Sequence, residues 1–352
     1  MREQREMNKA YNIVWSHARQ VWIVASELTR SCGRPALARK SLLSAMVLHS
    51  IVGGQTAHAN QNAFSSQIIS GSVVGNGVMQ SITSDWHAID TTITSGGVQQ
   101  VDGGLATSTT IDGGYQYISA GGSATQTTIH TGIQKIFSSG SATQTTINGG
   151  IQHISAGGSA TQTTINDSGA QFISNGGSAT STTLNDGRQT VIGGGSVAQT
   201  TINSGGLQNV SSGGAVTDTT VNGGTQYISS GGSATQTTIN NGGQQNVFAG
   251  GSATRTIVNN GGLQNVSSGG SVTGTTVNNG GHQYVYDGGT TTDTVINTGG
   301  TTWLYDGAIL ADDSATVNGT LVIDTQSSRS LSGDLTGSGT LLKTGGGAPH
   351  TQ

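Results

Sequence analysis

A repeat of 18 or 19 residues constrains this chain more than any other feature. Each copy carries a glutamine two residues before an aliphatic residue, and successive glutamines lie 17 to 19 residues apart. A period near 20 residues, with two strand-like runs separated by glycine pairs, is typical of a solenoid in which each copy forms one rung. The glutamines are Gln99, Gln116, Gln134, Gln152, Gln171, Gln189, Gln208, Gln226, Gln245, Gln264 and Gln283.

The repeat also predicts which side chains point inward. Two residues after each glutamine stands an aliphatic residue such as Val101 or Ile118, whereas the residue between them varies from Tyr117 to Lys135. In an alternating strand this pattern puts the aliphatic column in the core and the variable column in solvent. The glutamines share the inward parity, so we expect their amides to bond to one another along the stack. By the same parity Thr125, Thr127 and Ile129 are expected to share the inner face.

Composition narrows the class further. The chain has 58 glycines and only 9% charged residues, which disfavours helices and a conventional enzyme core. After residue 60 the charged residues are mostly Asp and form no basic cluster, so nucleic acid is not an expected partner. The single cysteine, Cys32, leaves the repeats without a disulfide. No cofactor is expected.

Residues 34 to 59 predict a secretory signal peptide read by the Sec machinery. Basic residues precede an apolar run over residues 41 to 52, and the small-residue site Ala57-His58-Ala59 predicts cleavage between Ala59 and Asn60. The apolar run is about a dozen residues, shorter than the roughly 18 needed to span a bilayer. The mature chain is therefore expected to have no transmembrane segment.

The residues before this signal carry a second pattern. Trp15, Trp22 and the element Ser26-Glu27-Leu28-Thr29-Arg30 resemble the extended signal region of type V secretion proteins. The resemblance implies a natural start at Met7. Residues 1 to 59 are accordingly interpreted as an extended signal peptide.

The repeat itself resembles the passengers of AIDA-type autotransporter adhesins, which share its Gly-Gly-x-Gln-x-Val and Gly-Gly-x-Ala-x-x-Thr elements. The resemblance implies a right-handed parallel β-helix over 93 to 317, with an N-terminal cap at 60 to 92 and degenerate passenger strands at 318 to 352. It also implies a non-enzymatic adhesin at the cell surface or outside the cell, which contacts a host-cell surface or another copy of itself and serves adhesion or biofilm formation. Members continue into a C-terminal β-barrel, for which this sequence has no corresponding tract, so the chain alone is expected to remain in the periplasm.

Two alternatives remain open. A secreted polysaccharide-degrading β-helix would need paired carboxyl groups, but the Asp residues are scattered, and His130, His153 and His282 are too far apart in sequence for a usual metal set. Ice binding would need an outward array of threonines. The parity that places Thr125 and Thr127 beside Ile129 argues against such an array.

Two residue sets are candidate sites. Aromatic residues on the outward parity are candidate surface contacts, namely Tyr117, Phe137, Phe172, Tyr227, Phe248 and Tyr284. Small hydroxyl residues beside glycine turns are candidates for O-glycosylation, because the resemblance implies modification by a cytoplasmic heptosyltransferase. They are Ser119, Ser123, Ser141, Ser155, Ser159, Ser174, Ser178, Ser196, Ser211, Ser229, Ser233, Ser252, Ser267 and Ser271.

Overall fold

The structure is a computed structural model, and it describes residues 11–16, 21–26, 67–311, 314–326, 330–331, 333–346 and 350–351. The chain divides into two compact units, Met1–Met46 and Val47–Gln352. The predicted cleavage pair Ala59 and Asn60 lies outside the described residues.

Within the first unit the described residues form a hairpin. Tyr11–Ser16 pairs antiparallel with Val21–Ser26, and Trp15 lies opposite Trp22 in the register. The two tryptophans singled out in the sequence therefore occupy one cross-strand position.

The second unit is a parallel β-solenoid of about 14 turns, with a rung of about 19 residues. Each rung contributes one strand to each of three parallel sheets, which we name the alanine, isoleucine and glutamine sheets after their inward residues. Equivalent residues of successive copies lie opposite each other, as when Ile118 aligns with Ile136 and Ile136 with Ile154. The prediction of a parallel β-helix with 18- or 19-residue rungs is confirmed.

The alanine sheet has 14 strands in the described chain, each short because the chain turns on both sides of it. Its strands are Gln67–Ser70, Trp86–Ile89, Leu105–Thr107, Ser123–Thr125, Ser141–Thr143, Ser159–Thr161, Ser178–Thr180, Ser196–Ala198, Ala215–Thr217, Ser233–Thr235, Ser252–Thr254, Ser271–Thr273, Thr290–Thr292 and Ile309–Leu310.

The isoleucine and glutamine sheets are joined by two long strands, Thr110–Ser119 and Thr128–Ile136, which run from one sheet into the other through register shifts. The other isoleucine-sheet strands are Val73–Val74, Thr92–Thr94, Thr146–Ile147, Thr164–Asn166, Thr183–Asn185, Thr201–Asn203, Thr220–Asn222, Thr238–Ile239, Ile257–Val258, Thr276–Val277, Thr294–Ile296, Ala315–Val317 and Leu335–Thr336. The other glutamine-sheet strands are Met79–Thr83, Val98–Asp102, Ile151–Ile154, Ala170–Ile173, Arg188–Val191, Leu207–Val210, Thr225–Ile228, Gln244–Val247, Leu263–Val266, His282–Val285, Thr301–Tyr305, Thr320–Asp324 and Thr340–Thr344.

Both ends of the solenoid continue the same register. Residues 67 to 92 already form rungs, because Met79–Thr83 pairs with Val98–Asp102 in parallel. Thr340–Thr344 likewise continues the glutamine sheet, and Ser330–Leu331 pairs with His350–Thr351. The role of residues 60 to 92 as a cap stays a prediction.

The core is a narrow column of small and medium aliphatic side chains. Ala142, Ile147 and Ile154 come from the three sheets of one turn, and each is at most 1% exposed. The aliphatic column read from the sequence is buried throughout, from Val101 to Val285. Burying one such side chain contributes about 1.5–3 kcal/mol, so stability grows with the number of stacked rungs.

The glutamine column forms a continuous hydrogen-bonded ladder inside this core. Each amide Nε2 donates to the Oε1 of the preceding rung, with N to O distances of 2.6 to 2.9 Å from Gln80 to Gln283. Thr302 takes the next position and donates its hydroxyl to Gln283 Oε1 at 3.2 Å. The predicted structural role of the glutamines is confirmed, and the stacking satisfies amides that would be costly to bury alone.

The expected parity of the threonines is wrong at one position. Thr127 and Ile129 are buried as expected, but Thr125 is only half-buried while Ala124 points into the core. Gln126, between the alanine and isoleucine sheets, has a φ of 58°, in the left-handed region. This corner shifts the alternation by one residue, which simple strand parity does not anticipate.

A glycine is required where the chain leaves the glutamine sheet. A Cβ on Gly122 would lie 2.2 Å from the carbonyl oxygen of Val101. The Gly122 amide also donates to the Ser119 carbonyl at 2.7 Å, which closes the turn. The second glycine of each pair therefore permits close stacking of the rungs.

Candidate functional site

The described side chains include no group of three His, Cys, Asp or Glu residues able to hold a metal ion. Asp102, one of the scattered acids, accepts hydrogen bonds from Gln100 and Ser119 instead of facing a second carboxylate. Over the same part of the chain, no helix has the length and apolar character of a membrane span.

The outward faces of the sheets carry aromatic side chains in pairs. Tyr117 stacks on Tyr115 at 6.1 Å between ring centroids, and the Lys135 ammonium lies 5.7 Å from the Tyr117 ring centroid. Tyr227 and Phe248, both near 40% exposed, are 5.9 Å apart. Lys135 and Tyr117 are register partners on adjacent rungs, whereas Tyr115 and Tyr117 lie two residues apart on one strand. Phe248 is the diagonal neighbour of Tyr227, two residues beyond its register partner Asn246.

Two further predicted contacts lie in the first half of the solenoid. Phe172 stacks against His153 with centroids 5.1 Å apart. Phe137 is half-buried and follows the glutamine-sheet strand. All six predicted contact residues thus reach the surface, although their binding role stays a prediction.

The largest aromatic group was only partly anticipated. His282, Tyr284, Tyr286, Trp303 and Tyr305 form one group on two adjacent rungs, here named the aromatic cluster. Tyr284 and Trp303 are 4.5 Å apart, and Tyr286 and Tyr305 are 5.1 Å apart with almost parallel rings. The sequence signal is a pair of aromatic residues two positions apart, which occurs as Tyr284 with Tyr286 and again as Trp303 with Tyr305. The second pair lies beyond Gln283, where the glutamine column that marks the outward positions ends.

Burial adjusts the titration of several surface rings. It raises the pKa of Tyr286 and of Tyr305, with a smaller contribution from the neighbouring tyrosines and, for Tyr305, from Asp324. These phenols stay protonated near neutral pH and can donate hydrogen bonds. The pKa of His153 is lowered by burial and then by the Lys135 charge, which favours a neutral ring against Phe172.

The candidate serines fall into two positions of the rung. One column opens the alanine-sheet strands and is half-buried or exposed, as at Ser141 and Ser252. The other precedes the glycine turn and is mostly half-buried, as at Ser155. Ser119 is the exception, because it is only 8% exposed and donates its hydroxyl to Asp102, so we withdraw it as a modification candidate.

The turn after the glutamine sheet offers more exposed hydroxyls than either predicted column. Ser138, Ser212 and Ser230 are exposed and have φ values of 47°, 51° and 43°. Their left-handed conformation places them at the tip of the turn, where loops are most accessible. Sequence analysis missed them because their neighbours at the same position include Ala156 and Asn175.

Asparagines form a second amide ladder at the surface. Where the isoleucine sheet ends, Asn166 Nδ2 donates to Asn148 Oδ1 at 2.9 Å, and the same contact recurs in later rungs at 2.7 to 3.1 Å. These amides are committed to one another, so this column stiffens the corner instead of offering free groups.

Family models match both parts of the chain. Residues 7–55 match the extended signal peptide of type V secretion systems, and residues 147–187 and 222–281 match the adhesin of bacterial autotransporter systems, described as a probable stalk. The second match lies within the solenoid.

Similar proteins agree with these matches. The autotransporter adhesin AIDA-I of Escherichia coli is 45% identical over 78 residues, and the autotransporter CRAC of Citrobacter rodentium strain ICC168 is 39% identical over 99 residues. These segments cover 22% and 27% of this chain and 6% of each relative.

A solved structure gives the broadest comparison. The crystal structure of the TibC-catalysed hyper-glycosylated TibA55-350 fragment aligns with a TM-score of 0.68 and 43% sequence identity. The alignment covers 81% of this chain and 97% of that fragment. With the solenoid, the repeat and the extended signal, it shows that the chain belongs to the AIDA-type autotransporter adhesins, as a passenger of that family.

Proposed function

We propose that the mature protein is a non-enzymatic adhesin, which attaches bacteria to a host-cell surface or to one another through many weak contacts. The observation that carries the proposal is the repetition of the outward face. Outward polar side chains recur at equivalent positions of successive rungs, as when Thr128 aligns with Thr146 and Thr146 with Thr164, so one partner surface can meet several copies of the same contact group.

The aromatic cluster supports the proposal. Tyr284 and Trp303 present a partly exposed apolar surface next to phenol hydroxyls, a combination that recurs in the contact centres of protein interfaces. Alternatives in ice binding and polysaccharide cleavage find no supporting observation.

Adhesion by purified protein tests this function. Beads coated with residues 60 to 352 are expected to aggregate or to bind epithelial cells, and beads coated with an unrelated solenoid serve as control. If the coated beads behave like uncoated beads in both assays, the proposal is contradicted. The variant Trp303→Ala, with Phe137→Ala as an aromatic control outside the cluster, measures how much the aromatic cluster contributes.

We further propose that a heptosyltransferase modifies serines of this passenger. The support is that the similar TibA fragment was hyper-glycosylated by TibC, and that the serines opening the alanine-sheet strands are accessible. Intact-mass spectrometry of protein produced with such a transferase is expected to show increments of one heptose residue. An unchanged mass, beside a modified TibA fragment as positive control, contradicts the proposal.

We also propose where this chain resides when it is produced alone. The match to the extended signal peptide supports passage across the inner membrane. Expressed without any translocator, the chain is expected to accumulate in the periplasm with its signal removed. Labelling of intact cells tests this, and positive surface labelling contradicts it.

A further inference from the structure

One corner of the solenoid keeps long polar side chains in a strained backbone conformation. Thirteen successive rungs, here named the corner column, place a residue with φ between 51° and 67° where the alanine sheet turns into the isoleucine sheet. The column consists of Gly71, Asp90, Ser108, Gln126, Gln144, Gln162, Ser181, Gln199, Asp218, Gln236, Arg255, Gly274 and Asp293.

The left-handed region favours glycine, since a Cβ there clashes with its own backbone. This chain uses glycine freely at its other turns, as at Gly121, yet only two of the thirteen corner residues, Gly71 and Gly274, are glycines. The backbone of each corner is held by the ladder, as when the Gln126 amide donates to the Thr143 carbonyl at 3.0 Å. The fold therefore tolerates the backbone strain but does not require it, since glycine would relieve it. What distinguishes these corners from the glycine turns is the polar side chain that they carry.

The amides of the corner column differ from the other two amide columns. The core glutamines bond to their own neighbours at every rung from Gln80 to Gln283, and the surface asparagines do so at most rungs. The side chains of Gln126, Gln144 and Gln162 are exposed, and none of them bonds to any described residue of the chain. Their donors and acceptors are free for a ligand.

The corner column and the outward threonines beside it line a shallow, open groove, of which two segments are well defined. One segment, of about 400 Å³, is walled by Gln126, Gln144 and Gln162 and by Thr128, Thr146 and Thr164. A second segment of about 550 Å³ lies on later rungs and includes Asp218, Gln236 and Arg255. In both segments an amide or charged group and, at most rungs, a hydroxyl recur with the spacing of the rungs, about 4.8 Å.

We propose that this groove binds a linear, neutral polysaccharide, with sugar residues lying along the rungs. The sugar hydroxyls both donate and accept hydrogen bonds, which matches a wall of free amides and hydroxyls. A peptide strand is a poor fit, since the corner backbone groups are already bonded within the ladder. A polyanion is disfavoured because Arg255 is the only cationic residue of the corner column and Asp90, Asp218 and Asp293 oppose it.

The inference rests on the proposed adhesive function and names a ligand class for it. Its test is an array of neutral β-linked oligosaccharides, including cellohexaose and chitohexaose, with oligogalacturonate as the acidic arm, probed with purified residues 60 to 352. The groove variant replaces Gln126, Gln144 and Gln162 by glycine. Glycine suits the left-handed corner, so the variant keeps the fold while removing the amides.

The matched control makes the same change at the turn after the glutamine sheet, as Ala156→Gly, Asn175→Gly and Ser212→Gly. Those residues are also exposed and left-handed but lie outside the groove. We expect wild type and control to bind a neutral oligosaccharide alike, independently of salt, and the groove variant to bind about tenfold or more weakly, since three hydrogen bonds are lost.

Four outcomes overturn the inference. The first three are binding to no neutral oligosaccharide, equal binding by the groove variant, and binding confined to oligogalacturonate that falls with salt. Self-association lost in the groove variant without any sugar binding also overturns it, because the groove then serves a second copy. If beads adhere to cells but the protein binds no sugar, only this inference fails, whereas absent adhesion contradicts the proposed function itself.

Discussion

The glutamine ladder offers a sharp test through two neighbouring residues of one strand. Gln244 and Gln245 both lie in Gln244–Val247, but Gln244 is exposed and Gln245 is fully buried. Replacing Gln245 by leucine keeps the volume and removes the amide. Gln264 Nε2 then loses its acceptor at 2.8 Å, and Thr256 Oγ1 loses its acceptor at 3.1 Å.

The expected loss follows from those two buried groups. Leaving a buried polar group without a partner costs about 1–3 kcal/mol, so Gln245→Leu is expected to lower the free energy of unfolding by about 2–6 kcal/mol. Gln226 limits the damage, since its Oε1 keeps the Thr237 hydroxyl at 3.2 Å. The matched control, Gln244→Leu, is expected to change stability by less than about 0.5 kcal/mol, and the next rung already has Leu263 at this position.

Urea titration followed by circular dichroism measures both variants. Because a solenoid can unfold in parts, hydrogen exchange of the rungs on either side of Gln245 is recorded as well. We expect faster exchange around Gln245 in the buried variant alone. Equal stability of the two leucine variants refutes the view that the ladder contributes through its hydrogen bonds.

Three further predictions follow from the packing and the titrating groups. Ile154→Ala is expected to cost about 2–5 kcal/mol by opening a cavity in the column, whereas Ile257→Ala, at a residue that is 40% exposed, costs much less in the same urea titration. Gly122→Ala is expected to lower the melting temperature more than Gly121→Ala, because its Cβ meets the Val101 carbonyl oxygen while that of Gly121 meets no atom within 4 Å. The lowered pKa of His153 means that the unfolded chain binds a proton more readily, so stability is expected to fall as the pH drops through the unfolded value of about 6.5; melting curves across that range, with His153→Phe as the variant lacking this dependence, check it.

The fold was largely predictable because the repeat averages out local ambiguity. A single strand with Gln116 and Ile118 does not reveal which of its faces is buried. Across eleven copies, the positions of Gln116 and Ile118 keep their residue type while that of Tyr117 varies, and this identifies the inner face. The glutamine ladder follows from the same comparison. Its hydrogen bonds were accessible to sequence reasoning because parallel, in-register stacking brings identical residues together.

The corners were not predictable in the same way. Strand parity placed Thr125 inside, and the left-handed Gln126 reverses that result, because nothing in a glutamine residue marks a corner that usually favours glycine. Trp303 and Tyr305 were missed as surface contacts since Thr302 replaces the glutamine that marked earlier rungs. The groove was not predictable either, because its wall consists of corner residues and the positions of the corners do not follow from strand parity.

The central claim is that adhesion is distributed over equivalent rungs, and shortening the solenoid tests it most directly. Deleting residues 134–188 removes three whole repeats and joins Ile133 to Gln189, which keeps the glutamine register. Circular dichroism verifies that the shortened chain remains a folded β-solenoid. Bead aggregation and cell attachment are then measured against the full-length passenger at equal coating density. We expect the shortened passenger to adhere more weakly, because fewer contacts act together. Undiminished adhesion would place binding at one locus and contradict a distributed mechanism.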